Sequence, residues 1–257
     1  MGSAIISGIV KSGLFPASAI SASDIDTNFL KKLSTSFGIN TTLSNKDVAK
    51  ESDIIFLCVK PHLYSLIIEE IKEDVASGAI VVTIAAGQTL ATVSSQFKEG
   101  VKIVRTMPNT PALINKGMIA ICPGSGVSGE DTELLLSIFN SIGKGEILKE
   151  PFFDIFTGIA GSSPAYAFMF IEALGDAGVK YGLTKDQSLR FVAQTVMGAA
   201  AMVLETGQHP SVLKDAVCSP GGTTIVAVCE LEKRGFRNAV ISAVDACVEK
   251  SVIMSKK

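Results

Sequence analysis

The chain has 257 residues, 47% hydrophobic and 19% charged, and its 23 basic and 25 acidic side chains leave a net charge of −2. That composition supplies a substantial core and excludes a disordered chain, while the lack of any basic block argues against nucleic-acid or membrane-surface partners. No stretch reaches the ~18 consecutive apolar residues of a membrane span, and five scattered cysteines without a CxxC pair read as reduced, mostly buried thiols of a cytoplasmic protein with no metal site.

The opening segment, MGSAIISGIVKSGLFPASA, has an Ala-Ser-Ala exit like a signal peptide, but no basic residue precedes its apolar part and Lys11 interrupts it. Ile5, Ile6, Ile9 and Val10 follow helical spacing, with Gly13 and Pro16 as stop signals, so the spacing predicts a helix with one buried face. A dinucleotide-binding fold opens with an apolar strand and a G-x-G-x-x-G turn that runs into such a helix. Here Gly2 fits the last glycine of that fingerprint, where a side chain would obstruct helix–strand packing. The expectation is that Met1 is an internal methionine of a longer natural protein carrying the strand and the turn; the plainer alternative is an ordinary start. Next comes Ser21-Ala22-Ser23-Asp24-Ile25-Asp26, read as the segment after a second strand. An acid there favours the ribose hydroxyls of NAD, and Ser23 with Asp26 also suits a plain helix cap.

Asp53–Val59 and Ala79–Ile84 are continuously apolar and rich in β-branched residues, as parallel strands covered on both faces are, and Lys102–Thr106 is a further strand. Helical patterns separate them: Phe29, Leu30 and Leu33; Leu63, Leu66, Ile67 and Ile71; Leu134, Leu135, Ile138 and Ile142. Strand and helix in alternation imply an α/β, Rossmann-type parallel sheet over residues 1–150, its first strand apparently missing. Residues 151–257 lose the strand signals. Pro164–Tyr181, Thr184–Thr206, a segment from Thr223 and another from Phe236 all favour helix. Ser188–Leu204 is apolar nearly all round, which predicts burial from more than one side and hence a homo-oligomer; the alternative is one bundle that buries everything itself.

Three clusters carry candidate chemistry. In Val104-Arg105-Thr106-Met107-Pro108-Asn109-Thr110-Pro111-Ala112, two prolines stiffen a strand-end loop, which makes Pro108 and Asn109 candidates to hold a cofactor or substrate. Gly158-Ile159-Ala160-Gly161-Ser162-Ser163-Pro164-Ala165-Tyr166 opens a helix with small residues. In Leu213-Lys214-Asp215-Ala216-Val217-Cys218-Ser219-Pro220-Gly221-Gly222-Thr223-Thr224, Ser219 suits a helix N-cap and Pro220 the first helical position. Exposed N–H groups of Gly221 and Gly222, with two threonine hydroxyls, then make a receptor for a small carboxylate, although the same run also serves as a bare helix start. His62 reads as a helix start and Tyr166 as core.

These clusters resemble pyrroline-5-carboxylate reductases along the whole chain: R-x-M-P-N-T-P-A, G-S-x-P-A-Y, L-K-D-x-V-x-S-P-G-G-T-T, the Gln208-His209-Pro210 turn and Gly235-Phe236-Arg237-Asn238-Ala239-Val240. Ala160, Ser163 and Ala216 depart from the usual pattern. The resemblance implies a Rossmann domain followed by a helical domain that intertwines into dimers, which assemble further, and reduction of the C=N bond of 1-pyrroline-5-carboxylate by NADPH or NADH. It places Asn45, Cys58, Val59, Lys60, Pro61, Ala85, Ala86 and Gly87 at the cofactor beside the fingerprint glycine Gly2, with Ser21 or Ser23 receiving the 2′-phosphate of NADP, the favoured cofactor (NAD possible). It places the substrate at Ser219, Gly221, Gly222, Thr223 and Thr224, with Thr224 hydrogen-bonding the ring nitrogen. Two other readings stand beside it. A β-hydroxyacid-dehydrogenase-like enzyme would need a helix-borne catalytic lysine, for which only Lys180 offers itself. A chain without its first strand would be a non-catalytic dimeric relative.

Overall fold

Helix α1 (Gly2–Ser12) opens the chain and stops where Gly13 turns to φ 71 and donates its N–H to Val10 O. Its inner face, Ala4, Ile5, Gly8 and Ile9, is buried, as the helical spacing predicts. The computed structural model describes residues 1–255. They divide into one unit made of Met1–Ser162 plus the chain from Cys247 on, and a second unit, Ser163–Ala246.

In the first unit, β1 (Ser21–Ser23) pairs in parallel with β2 (Asn40–Thr42), separated by α2 (Thr27–Phe37). Asp26 caps α2 by accepting the Asn28 and Phe29 N–H groups, so its carboxylate is spent locally. The sequence placed a strand before Ser21; the structure folds Ala17–Ala19 into a 3-10 turn and puts the strand at Ser21–Ser23 itself. Helix α3 (Asn45–Glu51) then leads to a five-stranded sheet in the order β3 (Ile54–Leu57), β4 (Ile80–Thr83), β5 (Lys102–Pro108), β6 (Gly117–Pro123), β7 (Gly143–Ile147). Among the described residues no ladder joins the two sheets. Crossovers carry α4 (Tyr64–Ile71), α5 (Leu90–Ser94) and α6 (Gly129–Asn140), and α7 (Phe153–Phe156) follows the sheet.

Both faces of the sheet are covered, which explains the continuous apolar runs. On one face Ile80, Val82 and Val104 pack with Ile5 and Ile9 of α1 and with Leu135, Ile138 and Phe139 of α6. On the other, Ile55, Val81 and Ile103 pack with Tyr64, Ile68 and Ile71 of α4. The sheet is not wholly parallel: β6 runs antiparallel to β5. The link between them is a short 3-10 turn, Thr110–Ile114, too brief for the crossover a parallel pair needs. Nor are the thiols mostly buried. Within this chain Cys122 is buried, Cys218 and Cys247 are half-buried, and Cys58 and Cys229 are exposed.

The second unit is helical: α8 (Ser163–Lys180), α9 (Lys185–Thr206), α10 (Pro210–Val217), α11 (Thr223–Lys233) and the start of α12 (Phe236–Ser255). Gly175 and Gly178 let α9 approach α8, since a Cβ there would meet Leu189 Cδ2 at 2.8 Å and Ser188 Oγ at 2.4 Å. Apart from that seam the unit keeps little to itself. Phe168, Met169, Phe191, Met197, Met202 and Leu204 are all exposed, so a single self-sufficient bundle is not what forms. No helix among the described residues is long and apolar enough to cross a membrane.

Candidate active site

The first unit gathers its candidate residues at the carboxyl ends of β3 and β4, where ligands of open α/β sheets bind. Register pairs Leu57 with Thr83, so Cys58-Val59-Lys60-Pro61 and Ala85-Ala86-Gly87 leave the sheet side by side. Gly2, at the start of α1, faces the same corner: a Cβ there would meet Cys58 Cβ at 3.3 Å. Gly2 thus lets the start of α1 come close to the residue that follows β3. Gly87 has φ 79, a conformation that side chains resist, and a Cβ there would press on Met254 O at 3.3 Å. Although the Cys58 residue is exposed, protein packed around its thiol pushes it up to about 11, which disfavours the thiolate. Lys60 is exposed, and His62 belongs to the 3-10 turn Pro61–Leu63 that leads into α4.

At the end of β1, Ser23 Oγ donates to Asn45 Oδ1 at 2.7 Å, and Asn45 Nδ2 donates to Glu70 Oε2 at 2.9 Å. The sequence singled out Ser23 and Asn45 separately; the fold joins them. Ser21 instead lines an open hollow of about 230 Å³ with Asp47 and Glu51, whose carboxylates make it a poor seat for a phosphate.

Pro108 and Asn109 are both buried. The Asn109 amide is engaged at both ends, donating to Ala160 O at 2.9 Å and accepting Met118 N–H at 2.9 Å. Its side chain is thus a latch between β5, β6 and the π-helical turn Thr157–Gly161, and its carbonyl accepts Ala112 N–H at 3.2 Å.

Tyr64 and Glu150 escaped the sequence reading, and Arg105 stood in it only as a member of a motif, with no role of its own. Arg105, 6% exposed, donates to Glu150 Oε1 at 3.0 Å and lies over the Phe153 ring, and the same oxygen accepts Leu90 N–H at 2.7 Å. This ties the loop after Gly87 to the middle of β5. Tyr64, 1% exposed, bridges the ends of β3 and β4 through its hydroxyl. A lone tyrosine at a helix start carries no sequence signal beyond an apolar face; only the buried hydroxyl distinguishes it.

In the second unit, Ser219–Gly222 is a turn and not a helix start, which corrects the capping expected of Ser219 and Pro220. Gly222 N–H returns to Ser219 O at 3.0 Å, and Gly221 sits at φ 69. Proline at the second position and glycine with positive φ at the third is the type II combination. Helix α11 begins at Thr223, with Gly222 as an N-cap that lacks a side chain. The consequence favours a ligand: no side chain satisfies the first N–H groups of α11, where Thr223 and Thr224 stand. Ser219, Gly221 and Thr223 are exposed, Gly222 and Thr224 half-buried.

Comparison with known proteins gives a family. Residues 150–254 match the family model described as "Pyrroline-5-carboxylate reductase dimerisation", and residues 1–87 match "NADP oxidoreductase coenzyme F420-dependent". The chain is 47% identical over 256 residues to the pyrroline-5-carboxylate reductase of Escherichia coli (strain K12), covering 100% of this chain and 95% of that one. Among solved structures it superposes on the pyrroline-5-carboxylate reductase of Coxiella burnetii with TM-score 0.93 at 32% identity, over 100% of this chain and 95% of that one. It also superposes on the Plasmodium falciparum pyrroline carboxylate reductase with NADP bound, with TM-score 0.89 at 35% identity, over 99% and 94% of the two chains.

Proposed function

The chain belongs to the pyrroline-5-carboxylate reductase family, and from that premise we propose that it reduces 1-pyrroline-5-carboxylate to L-proline with NADPH, the last step in making proline. The observation that carries this is 47% identity sustained across the whole chain, which also removes the ground for a β-hydroxyacid dehydrogenase.

When bound, the reduced nicotinamide supplies a hydride. The residues at the ends of β3 and β4 orient it: Gly2, Cys58, Val59, Lys60, Pro61, Ala85, Ala86 and Gly87, with Pro108 and Asn109 stiffening the neighbouring strand end. The Ser219–Gly222 turn and the first N–H groups of α11 hold the substrate carboxylate, an anion at a helix N-terminus. Thr224 Oγ1 accepts from the protonated ring nitrogen, fixing the imine without a protein nucleophile. A protonated imine is already electrophilic, so positioning and exclusion of water suffice. NADP is the favoured cofactor, with Ser23 and Asn45 at its 2′-phosphate once their mutual hydrogen bond opens, and NAD is the lesser alternative. The protein works as a homodimer that builds larger assemblies in the cytoplasm.

Purified protein is expected to oxidise NADPH only when pyrroline-5-carboxylate is added, with proline as product. Thr224→Ala is expected to lower kcat about tenfold or more, the loss of one hydrogen bond to a charged group. Full turnover in that variant removes the role given to Thr224; no turnover in the wild type removes the activity.

A further inference from the structure

We propose that Tyr64 is a positioning residue whose hydroxyl replaces a ladder bond between β3 and β4 and so holds open the crevice that receives the cofactor. This deepens the reading just given and rests on it. In the parallel register of these strands Ile80 N–H donates to Asp53 O at 2.9 Å. Four residues further along both strands, the same geometry would join Ile84 N–H to Leu57 O. That bond is not made. Tyr64 Oη stands in its place, accepting Ile84 N–H at 3.1 Å and donating to Leu57 O at 2.8 Å.

A hydroxyl satisfies both orphaned backbone groups while keeping the strands apart. Only the neutral phenol can accept and donate at once, and burial pushes its ionisation well above the usual tyrosine range, so it stays neutral at any physiological pH. The parting begins one residue before Cys58 on one side and one before Ala85 on the other, the positions at which the candidate cofactor loops leave the sheet. A tyrosine needed only for packing would fill the same space among Leu57, Ile68 and Val81 as phenylalanine does.

The test is Tyr64→Phe, with NADPH affinity read by nicotinamide fluorescence, steady-state kinetics, and thermal unfolding. Without the hydroxyl the strand ends close on each other or lose their fixed spacing, so Kd and KM for NADPH are expected to rise about tenfold, about 1.4 kcal/mol. The KM for pyrroline-5-carboxylate at saturating NADPH is expected to stay unchanged. A variant with a lowered Tm and wild-type NADPH affinity overturns the proposal. Should Tyr64→Phe fail to fold, fluorotyrosine placed at all three tyrosines of the wild-type chain decides it by fluorine NMR. The residue-64 resonance, assigned with Tyr166→Phe and Tyr181→Phe, is expected to shift on saturation with NADPH, and an unmoved resonance overturns the claim. A wild type that binds NADPH without turning over pyrroline-5-carboxylate defeats only the functional reading, because the Tyr64 comparison still runs on binding; a wild type that binds no NADPH defeats both.

Discussion

The two units of this chain bury their apolar residues in opposite ways. In the first, strand β4 is buried at every position and the largest side chains, Tyr64, Phe139 and Phe153, are almost completely enclosed. In the second, α10 and α11 bury no residue at all, α8 only Gly175 and α9 only Ser188. The first unit buries its core against elements of its own chain; the second presents faces that a monomer leaves wet, and its match to a dimerisation family points to a second copy as their cover. A helix apolar all round is a statement about neighbours that the single chain does not contain.

The comparison breaks most readily in the second unit. Met197 is 57% exposed on α9, and Met197→Glu is expected to weaken self-association by more than about 3 kcal/mol, over a hundredfold, because a carboxylate would be buried unpaired in the subunit contact. Analytical ultracentrifugation checks it; a variant that remains dimeric at wild-type concentrations means the face lies elsewhere. In the first unit the weak point is steric. A Cβ at Gly143 would lie 2.0 Å from Gly117 O and 2.5 Å from Gly117 N, inside the β6–β7 pair. Gly143→Ala is therefore expected to cost about 3 kcal/mol, measured by denaturant unfolding.

The smallest effect sharpens the same contrast through charge. Asp131 closes a capping box with Ser128 at the start of α6, and the Lys102 ammonium, followed by the Ser128 backbone N–H, holds its carboxyl down to about 2. A depressed acid stabilises the fold above its unfolded value and ceases to do so as pH falls through the folded one. Asp131→Asn is thus expected to cost about 1 kcal/mol at neutral pH, with the wild-type advantage shrinking as pH falls below about 4 and only a small remainder left at pH 2. An advantage that persists unchanged at pH 2 contradicts the assignment.

How far the sequence carried depended on whether local signal and tertiary context agreed. Strands β3 and β4 were legible because both faces are covered, so I-I-F-L and I-V-V-T are apolar throughout. Strand β7 was not, since G-K-G-E-I carries two glycines and two charges and is a strand only because β6 lies beside it. Helix α10 was hidden inside a motif read for its chemistry. At Ser219 the capping preference and the turn preference of Pro220-Gly221 pointed different ways, and the turn won because Gly221 takes the positive φ that a type II turn demands. Site residues followed the same division. Glycines, prolines and threonines in recognisable runs stood out as candidates, whereas Tyr64 and Glu150 act through hydrogen bonds between segments distant in sequence and left no local trace, and Arg105 showed only as a motif residue without its partner.

The most direct measurement is the fate of the hydride itself. With NADPH carrying deuterium at the transferring position of its nicotinamide ring and pyrroline-5-carboxylate as acceptor, the expected product is proline with one deuterium at the carbon that bore the C=N bond. Proline formed without label, or NADPH bound with no proline formed, would contradict it.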